Sequence, residues 1–355
     1  MRKYRNRILI GLAVGFVIYA GLLLLVNTEA LVVQLQVFPW ALLIPVILLK
    51  FVAWFFRFLQ WHYFLGVIEA RDKIALFDSV VLFIAGFSMA VSPGKAAEVL
   101  KAVVLRAKTG TPVAAGTSVV IAERVVDGLA VIILAFVALL LGGGSVNLGG
   151  FGTLIYLSAG LLLAGLVAVR IRPLAYFVLN LVRRLPLLRR LHGALVQFYE
   201  SSFEVFRPRH LLPTVTFGMV AALGDALGFV IILAGFGLEP TWTLFLQAIV
   251  IICLSSAIGA LSGVPNGAGI TEVSVSAMLM VIVAPQNPAL TASVAAAAAL
   301  IEGFFHKWFR VFVGLAVAVI FRRRLFPPSV EAEISALERE REQARRQVEY
   351  GSSGA

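Results

Sequence analysis

An all-α polytopic membrane protein, with about six spanning helices plus two oppositely oriented re-entrant helical hairpins, is the fold this sequence predicts. Three observations predict it. Of the 355 residues 60% are hydrophobic and 14% charged, and mean hydropathy is +0.96, which fits a bilayer and no soluble catalytic domain. Two proline-glycine interruptions, Ser92-Pro93-Gly94-Lys95 and Gly263-Val264-Pro265-Asn266-Gly267, fall inside long apolar stretches. Lys and Arg are confined to a few segments, so their distribution fixes which connectors face the cytoplasm.

The first apolar run, Ile8 to Val26, is longer than a signal-peptide core and has no small-residue cleavage site, so it reads as an uncleaved helix. The second runs from Trp40 to Phe64. Along it Lys50, Trp54, Arg57 and Trp61 recur at spacings of four, three and four, stacking two cations and two indoles on one helical face. Snorkelling to the interface is the bland reading for Arg57, but Lys50 lies nearer the middle of the run.

Basic residues then set the threading. Arg2 to Arg7, Arg71 and Lys73, the cluster from Arg170 to Arg209, and Arg322 to Arg324 should all be cytoplasmic, while the connectors at 27–38, 142–150, 238–243 and 285–288 carry no Lys or Arg and should face outward. Lys101, Arg106 and Lys108 come soon after the first break. The segment from Ile74 to Lys108 must therefore enter and leave on the inside, as a hairpin with limbs Ile74 to Val91 and Ala96 to Arg106. By the same reasoning Thr243 to Ala284 enters and leaves from the outside. Both termini are expected inside, in a prokaryotic cytoplasmic membrane. Residues 1–326 form the membrane domain, with 170–210 a basic amphipathic cytoplasmic segment; 327–350 form a charged tail and 351–355 a tag-like run.

Proline lacks the amide that a helix needs, and broken backbone at membrane depth persists where it lines a cavity. Oppositely oriented broken hairpins are the mark of inverted-repeat transporters, whose substrate site lies near the midplane. The alternative is that both segments cross fully as kinked helices.

Ionisable side chains inside spans cost about 2.5–3.5 kcal/mol each on insertion scales, so each needs a partner or water. After a cap-and-proline start at Thr109-Gly110-Thr111-Pro112, the next span carries Glu123-Arg124-Val125-Val126-Asp127, with both acids on one face. Asp225 sits between Gly224 and Gly228, a pattern that marks close helix packing as readily as chemistry. The last span holds Glu302, His306, Lys307 and Arg310 on successive turns. Cys253 is the single cysteine, so there is no disulfide and no thiolate metal site. The formal charge of +11 reports membrane orientation and not nucleic-acid binding.

In order, Ser92-Pro93-Gly94-Lys95-Ala96-Ala97-Glu98 with Lys101, then Glu123-Arg124-Val125-Val126-Asp127, then Pro265-Asn266-Gly267-Ala268-Gly269-Ile270-Thr271-Glu272, resemble the signature segments of the lysylphosphatidylglycerol synthase transmembrane, or flippase-like, family. Arg57-Phe58-Leu59-Gln60-Trp61 is similar to that family's arginine-tryptophan element. The resemblance covers about residues 8–321. It departs from the family at Asn266, which stands where a glycine is usual, although asparagine tolerates left-handed backbone.

The resemblance implies a domain that moves anionic or modified lipids across the membrane. The residues after Arg324 are too few for the soluble aminoacyltransferase half, so lipid aminoacylation is not expected. The substrate would be an anionic phospholipid, an aminoacyl-phospholipid or a polyprenyl-phosphate-linked headgroup. No cofactor, metal or nucleic acid is expected. No phosphate loop for ATP occurs, and proton coupling and passive exchange are both open.

The candidate substrate-binding residues are Arg57, Ser92, Pro93, Gly94, Lys95, Glu98, Lys101, Glu123, Arg124, Asp127, Asp225, Pro265, Asn266, Gly267, Glu272, Glu302, His306 and Lys307. Within this set Lys95, Lys101, Arg57 and Arg124 suit a phosphate. No Lys or Arg occurs from Leu211 to His306. The second break is therefore expected to be purely acidic, with Glu272, Asp225 and Glu302 holding an amine or exchanging a proton. Two other classes remain: a membrane-embedded lipid-phosphate enzyme using paired acids and His306, and a non-transporting partner of a separate glycosyltransferase or lipid synthase. A homodimer is compatible with all three.

Overall fold

The computed structural model describes residues 28–88, 98–143, 152–184, 192–262, 264–325 and 327. The first apolar run, the break Ser92-Pro93-Gly94-Lys95 and nearly all of the charged tail lie outside the described residues. Every regular element among the described residues is helical. In chain order they are α1 (Thr28–Val37), α2 (Leu43–Val67), α3 (Leu76–Gly86), α4 (Glu98–Thr109), α5 (Val113–Gly142), α6 (Gly152–Arg170), α7 (Arg172–Arg184) and α8 (His192–Val205). Next come α9 (Pro208–Gly235), α10 (Trp242–Leu261), α11 (Ile270–Met278), α12 (Ala292–Gly303), α13 (Phe309–Ile320) and α14 (Arg322–Leu325). One π turn, Leu279–Val283, extends α11, and another, Phe304–Trp308, joins α12 to α13.

The helix ends reflect local chemistry. Gly110 ends α4 at φ +73°, and Pro112 then precedes the first residue of α5, as the sequence predicts. Pro208 opens α9 at a position where its missing amide is not needed. The hydroxyls of Thr241 and Thr291 accept from Leu244 N–H and Val294 N–H, capping α10 and α12 at 3.1 and 3.3 Å.

Five helical stretches among the described residues are long and apolar enough to cross a bilayer: Trp40–Val67, Val113–Gly142, Pro208–Gly235, Trp242–Leu261 and Ala292–Ile320. α6 and α7 pass the same test only when taken together across an 82° bend, as a broken span or a re-entrant loop. α7 lies in the basic segment. Its Leu174, Phe177, Val178 and Leu181 face outward, while Leu179 is buried and Tyr176 meets Tyr199 of α8.

The distribution of side chains is inverted relative to a water-soluble protein. On α2, Ile44, Leu48, Phe51, Val52 and Phe55 are exposed, whereas Lys50 is 2% exposed and Gln60 1%. An apolar exterior around a charged interior is stable in lipid and would aggregate in water. The chain is a multi-pass membrane protein.

α2 and α9 pack closely along much of their length because Gly224 and Gly228 let the backbones approach. A Cβ on Gly224 would lie 3.5 Å from the Leu49 carbonyl, and one on Gly228 would lie 3.6 Å from Val46. Both are ordinary contact distances, so the small residues lie in the interface, and the same turn of α9 delivers Asp225 to the interior. α5 lies across α4, α8, α9 and α10.

α3 and α4 run side by side, their open ends joined by Lys108 and Asp78 at 3.2 Å. α10 and α11 also lie side by side, with Gln247 donating to the Ile282 carbonyl at 3.1 Å. α12 and α13, the two halves of the last span, touch both pairs. Gly303 packs on Glu272, and a Cβ on Gly314 would lie 2.8 Å from both the Ile84 carbonyl and the Ser88 nitrogen. Arg324 closes the same end by bonding Asp78 at 2.6 Å.

Candidate functional site

The buried charges gather in three connected groups. In the first, Lys50 of α2 donates to Asp225 Oδ1 of α9 at 3.0 Å and to Glu302 Oε1 of α12 at 3.2 Å. Each of the three lies ten residues from an end of its span, Trp40 to Lys50, Asp225 to Gly235 and Ala292 to Glu302. That is about 15 Å at the helical rise, half the thickness of a hydrocarbon core. Arg57 Nη2 takes the other Asp225 oxygen at 3.1 Å. His306 Nδ1 stands 3.7 Å from Asp225 Oδ2 and 3.5 Å from Glu302 Oε1.

The second group forms around the break between α10 and α11. Asn266 and Gly267 adopt left-handed φ values of 56° and 61°, and Gly269 is at 83°. Asparagine is among the few non-glycine residues that do this at low cost. Its side chain has a further use, because Asn266 Oδ1 accepts from Arg310 at 2.9 Å. Glu272 reaches back to accept from Gly269 N–H at 2.8 Å, capping α11, and also receives Lys307 at 3.0 and 3.2 Å. Lys307 donates to the Gly267 carbonyl as well. A Cβ on Gly303 would lie 2.7 and 2.9 Å from Glu272 Cγ and Cδ, so glycine there makes room for the carboxylate.

This corrects one expectation. The second break is not purely acidic, because α12, α13 and the π turn between them bring Lys307 and Arg310 onto it from a distant part of the chain. Asp225 and Glu302 are likewise matched by internal cations, and the amine they hold is that of Lys50.

The third group lines a partly open cavity. Its walls are Arg57 and Gln60 of α2, Phe83 and Gly86 of α3, Phe87, Lys101 of α4, Val120, Glu123, Arg124 and Asp127 of α5, and Arg310 of α13. Lys101 donates to Glu123 at 2.9 Å and sits 3.5 Å from the centre of the Trp61 ring, with Phe83 beyond it. Such a cation is held by charge and by the ring face together. Trp61 is itself fixed by donating to Ser79 at 3.1 Å. Arg124 pairs with Asp127 on its own helix at 3.6 Å, and both line the cavity.

Four cations, Arg57, Lys101, Arg124 and Arg310, thus face two carboxylates, Glu123 and Asp127. Gln60 is buried on the same wall, and its Nε2 has no hydrogen-bond partner. Leaving such a donor dry costs about 1–3 kcal/mol. Because Arg57 is balanced by Asp225, the cavity keeps a net excess of one positive charge with a buried amide in its wall, an arrangement suited to an oxyanion.

Of the residues singled out from sequence, Arg57, Lys101, Glu123, Arg124 and Asp127 line this cavity. Asp225, Glu302 and His306 form the Lys50 group, and Asn266, Gly267, Glu272 and Lys307 form the group at the second break. Pro265 opens the turn there, and Glu98 begins α4. Ser92, Pro93, Gly94 and Lys95 lie outside the described residues. Lys50, Gln60 and Arg310 were left out of the sequence-derived set. Spacing carried the signal, since Gln60 lies one turn beyond Arg57 and Arg310 one turn beyond Lys307.

A charged interior spread over six helices within an apolar shell defines a polytopic membrane protein built around a polar site. The chain belongs to the family described as the lysylphosphatidylglycerol synthase TM region, whose model matches residues 8–314. Comparison with curated proteins and with solved structures gives no significant match.

Proposed function

We propose that this protein moves a lipid with an anionic headgroup across the membrane and is a transporter, not an enzyme. The observation that carries the reading is the cavity where Arg57, Lys101, Arg124 and Arg310 outnumber the carboxylates Glu123 and Asp127, with the unpartnered amide of Gln60 in its wall. A phosphodiester brings one negative charge and two free oxygens, which matches the excess and the donors. The acyl or prenyl chains would stay in lipid, reached through the side of the cavity where Arg124 is 45% exposed.

Family membership supports a lipid-related role. The hairpin threading also supports transport. The ends of α3 and α4 away from the first break are tied together by Lys108 and Asp78, and the Lys and Arg there favour the inside. In this reading both broken pairs are re-entrant, the halves are inverted repeats, and the end bearing Arg324 and Lys108 is cytoplasmic. The cell membrane of a prokaryote is the proposed location.

The test is lipid exchange in vesicles containing the purified chain, using a fluorescent phosphatidylglycerol and a surface quencher. Wild type should equilibrate the probe between leaflets, and Arg57→Ala and Lys101→Ala should each slow it at least tenfold. Equal rates in protein-free vesicles and in all three proteins would end the proposal.

A further inference from the structure

The Lys50 group adjoins the headgroup cavity through one side chain, Arg57, and that sharing has a consequence for energy coupling. Arg57 lines the cavity and also donates to Asp225 Oδ2 at 3.1 Å. The same Oδ2 lies 3.7 Å from His306 Nδ1. Lys50 occupies Asp225 Oδ1 and Glu302 Oε1, so in this arrangement two cations balance two carboxylates and the imidazole stands at the edge, beyond hydrogen-bond distance of either acid.

Other charges facing His306 are already engaged. Lys307 is held by Glu272, and Arg310 donates to Asn266. A headgroup phosphate entering the cavity competes with Asp225 for Arg57. If the guanidinium turns to the phosphate, the Lys50 group is left with one cation for two carboxylates, in an environment where an unmatched charge is costly. The imidazole can restore neutrality by taking one proton and donating Nδ1–H to Asp225 Oδ2, from a position 3.7 Å away.

On the side away from Arg57, His306 lines a small polar pocket together with Ser255, Ser256, Thr271, Glu302 and Lys307, so headgroup and proton can approach this group from different sides.

We infer that His306 is a proton site coupled to anion binding through Arg57, so that the protein carries one proton with each anionic headgroup. This rests on the lipid reading above. Coupling of this kind is reciprocal: the anion favours the proton and the proton favours the anion. One linked proton makes the anion affinity change by about tenfold per pH unit over the range where the imidazole is deprotonated in the empty protein.

The test uses the full-length protein in weakly buffered detergent solution with dihexanoyl phosphatidylglycerol as the probe. Wild type should bind the probe, take up about one proton per molecule bound, and lose affinity by about tenfold per unit as pH rises from about 6 to 8. In His306→Gln the proton uptake should fall at least fivefold. Binding by wild type without proton uptake and without pH dependence overturns the inference while leaving the lipid site intact, and so does undiminished uptake in His306→Gln. No binding by wild type at any pH overturns the lipid site itself, and the inference with it. The pH series on wild type decides the matter even if the variant does not fold.

Discussion

The two broken helix pairs are alike in sequence and opposite in state. Around the second break every described charge meets a complement, with Glu272 against Lys307 and the α11 cap, Arg310 against Asn266, and Gly303 leaving no space beside the carboxylate. Beside the first pair, α3 and α4, the side chains instead surround open space and cations exceed acids, while an unpartnered buried amide nitrogen occurs at both, Gln60 Nε2 here and Asn266 Nδ2 at the second break. The second break is locked by its own side chains, and in the proposed function the cleft beside α3 and α4 is completed by a ligand. Substitutions near the second should cost stability, and those near the first should cost binding.

The largest effect expected on this contrast is from Glu272→Ala. It leaves Lys307, 4% exposed, without its carboxylate and uncaps α11. Breaking a buried pair costs about 3–5 kcal/mol, so the melting temperature in detergent should drop steeply. Next, Arg57→Ala should weaken binding of an anionic lipid by about 10- to 100-fold, from loss of a charged hydrogen bond worth about 1.5–3 kcal/mol. Its stability cost should be smaller than that of Glu272→Ala, because Arg57 is 19% exposed and Lys50 still holds Asp225.

Gly303→Ala should destabilise by about 1–3 kcal/mol through overpacking against Glu272, with little change in lipid affinity for the protein that remains folded. Gln60→Leu separates the two regions most cleanly. Removing an idle buried amide should leave the melting temperature unchanged or raise it, while anion affinity falls by about two- to tenfold, the worth of a neutral hydrogen bond. Equal losses of stability from Glu272→Ala and Gln60→Leu would erase the contrast.

Much of this was legible in the residues. Lys50, Arg57, Glu123, Asp225 and Glu302 stand in apolar runs where a lone charge is costly, so the sequence demands partners for them. It does not say which. Lys50 meets Asp225 and Glu302 across 175 and 252 positions of chain, and only the packing of α2, α9 and α12 decides that. The same limit explains the error at the second break. A window without Lys or Arg from Leu211 to His306 reads as acidic along the chain, but Lys307 and Arg310 arrive from the next elements. Left-handed backbone at Asn266 was readable from residue type, whereas its bond to Arg310 was not. The π turn over Phe304–Trp308 left no mark in the periodicity. Gln60 was overlooked because a neutral amide in an apolar run raises no charge alarm.

The central claim is that the cavity beside the first pair takes an anionic headgroup. Its most direct test is a comparison of short-chain phosphatidylglycerol and phosphatidylcholine binding to wild type and to Arg57→Ala. Wild type should prefer phosphatidylglycerol by at least tenfold, and Arg57→Ala should lose most of that preference. Equal affinity of wild type for the two lipids, or a preference that survives Arg57→Ala intact, would contradict it.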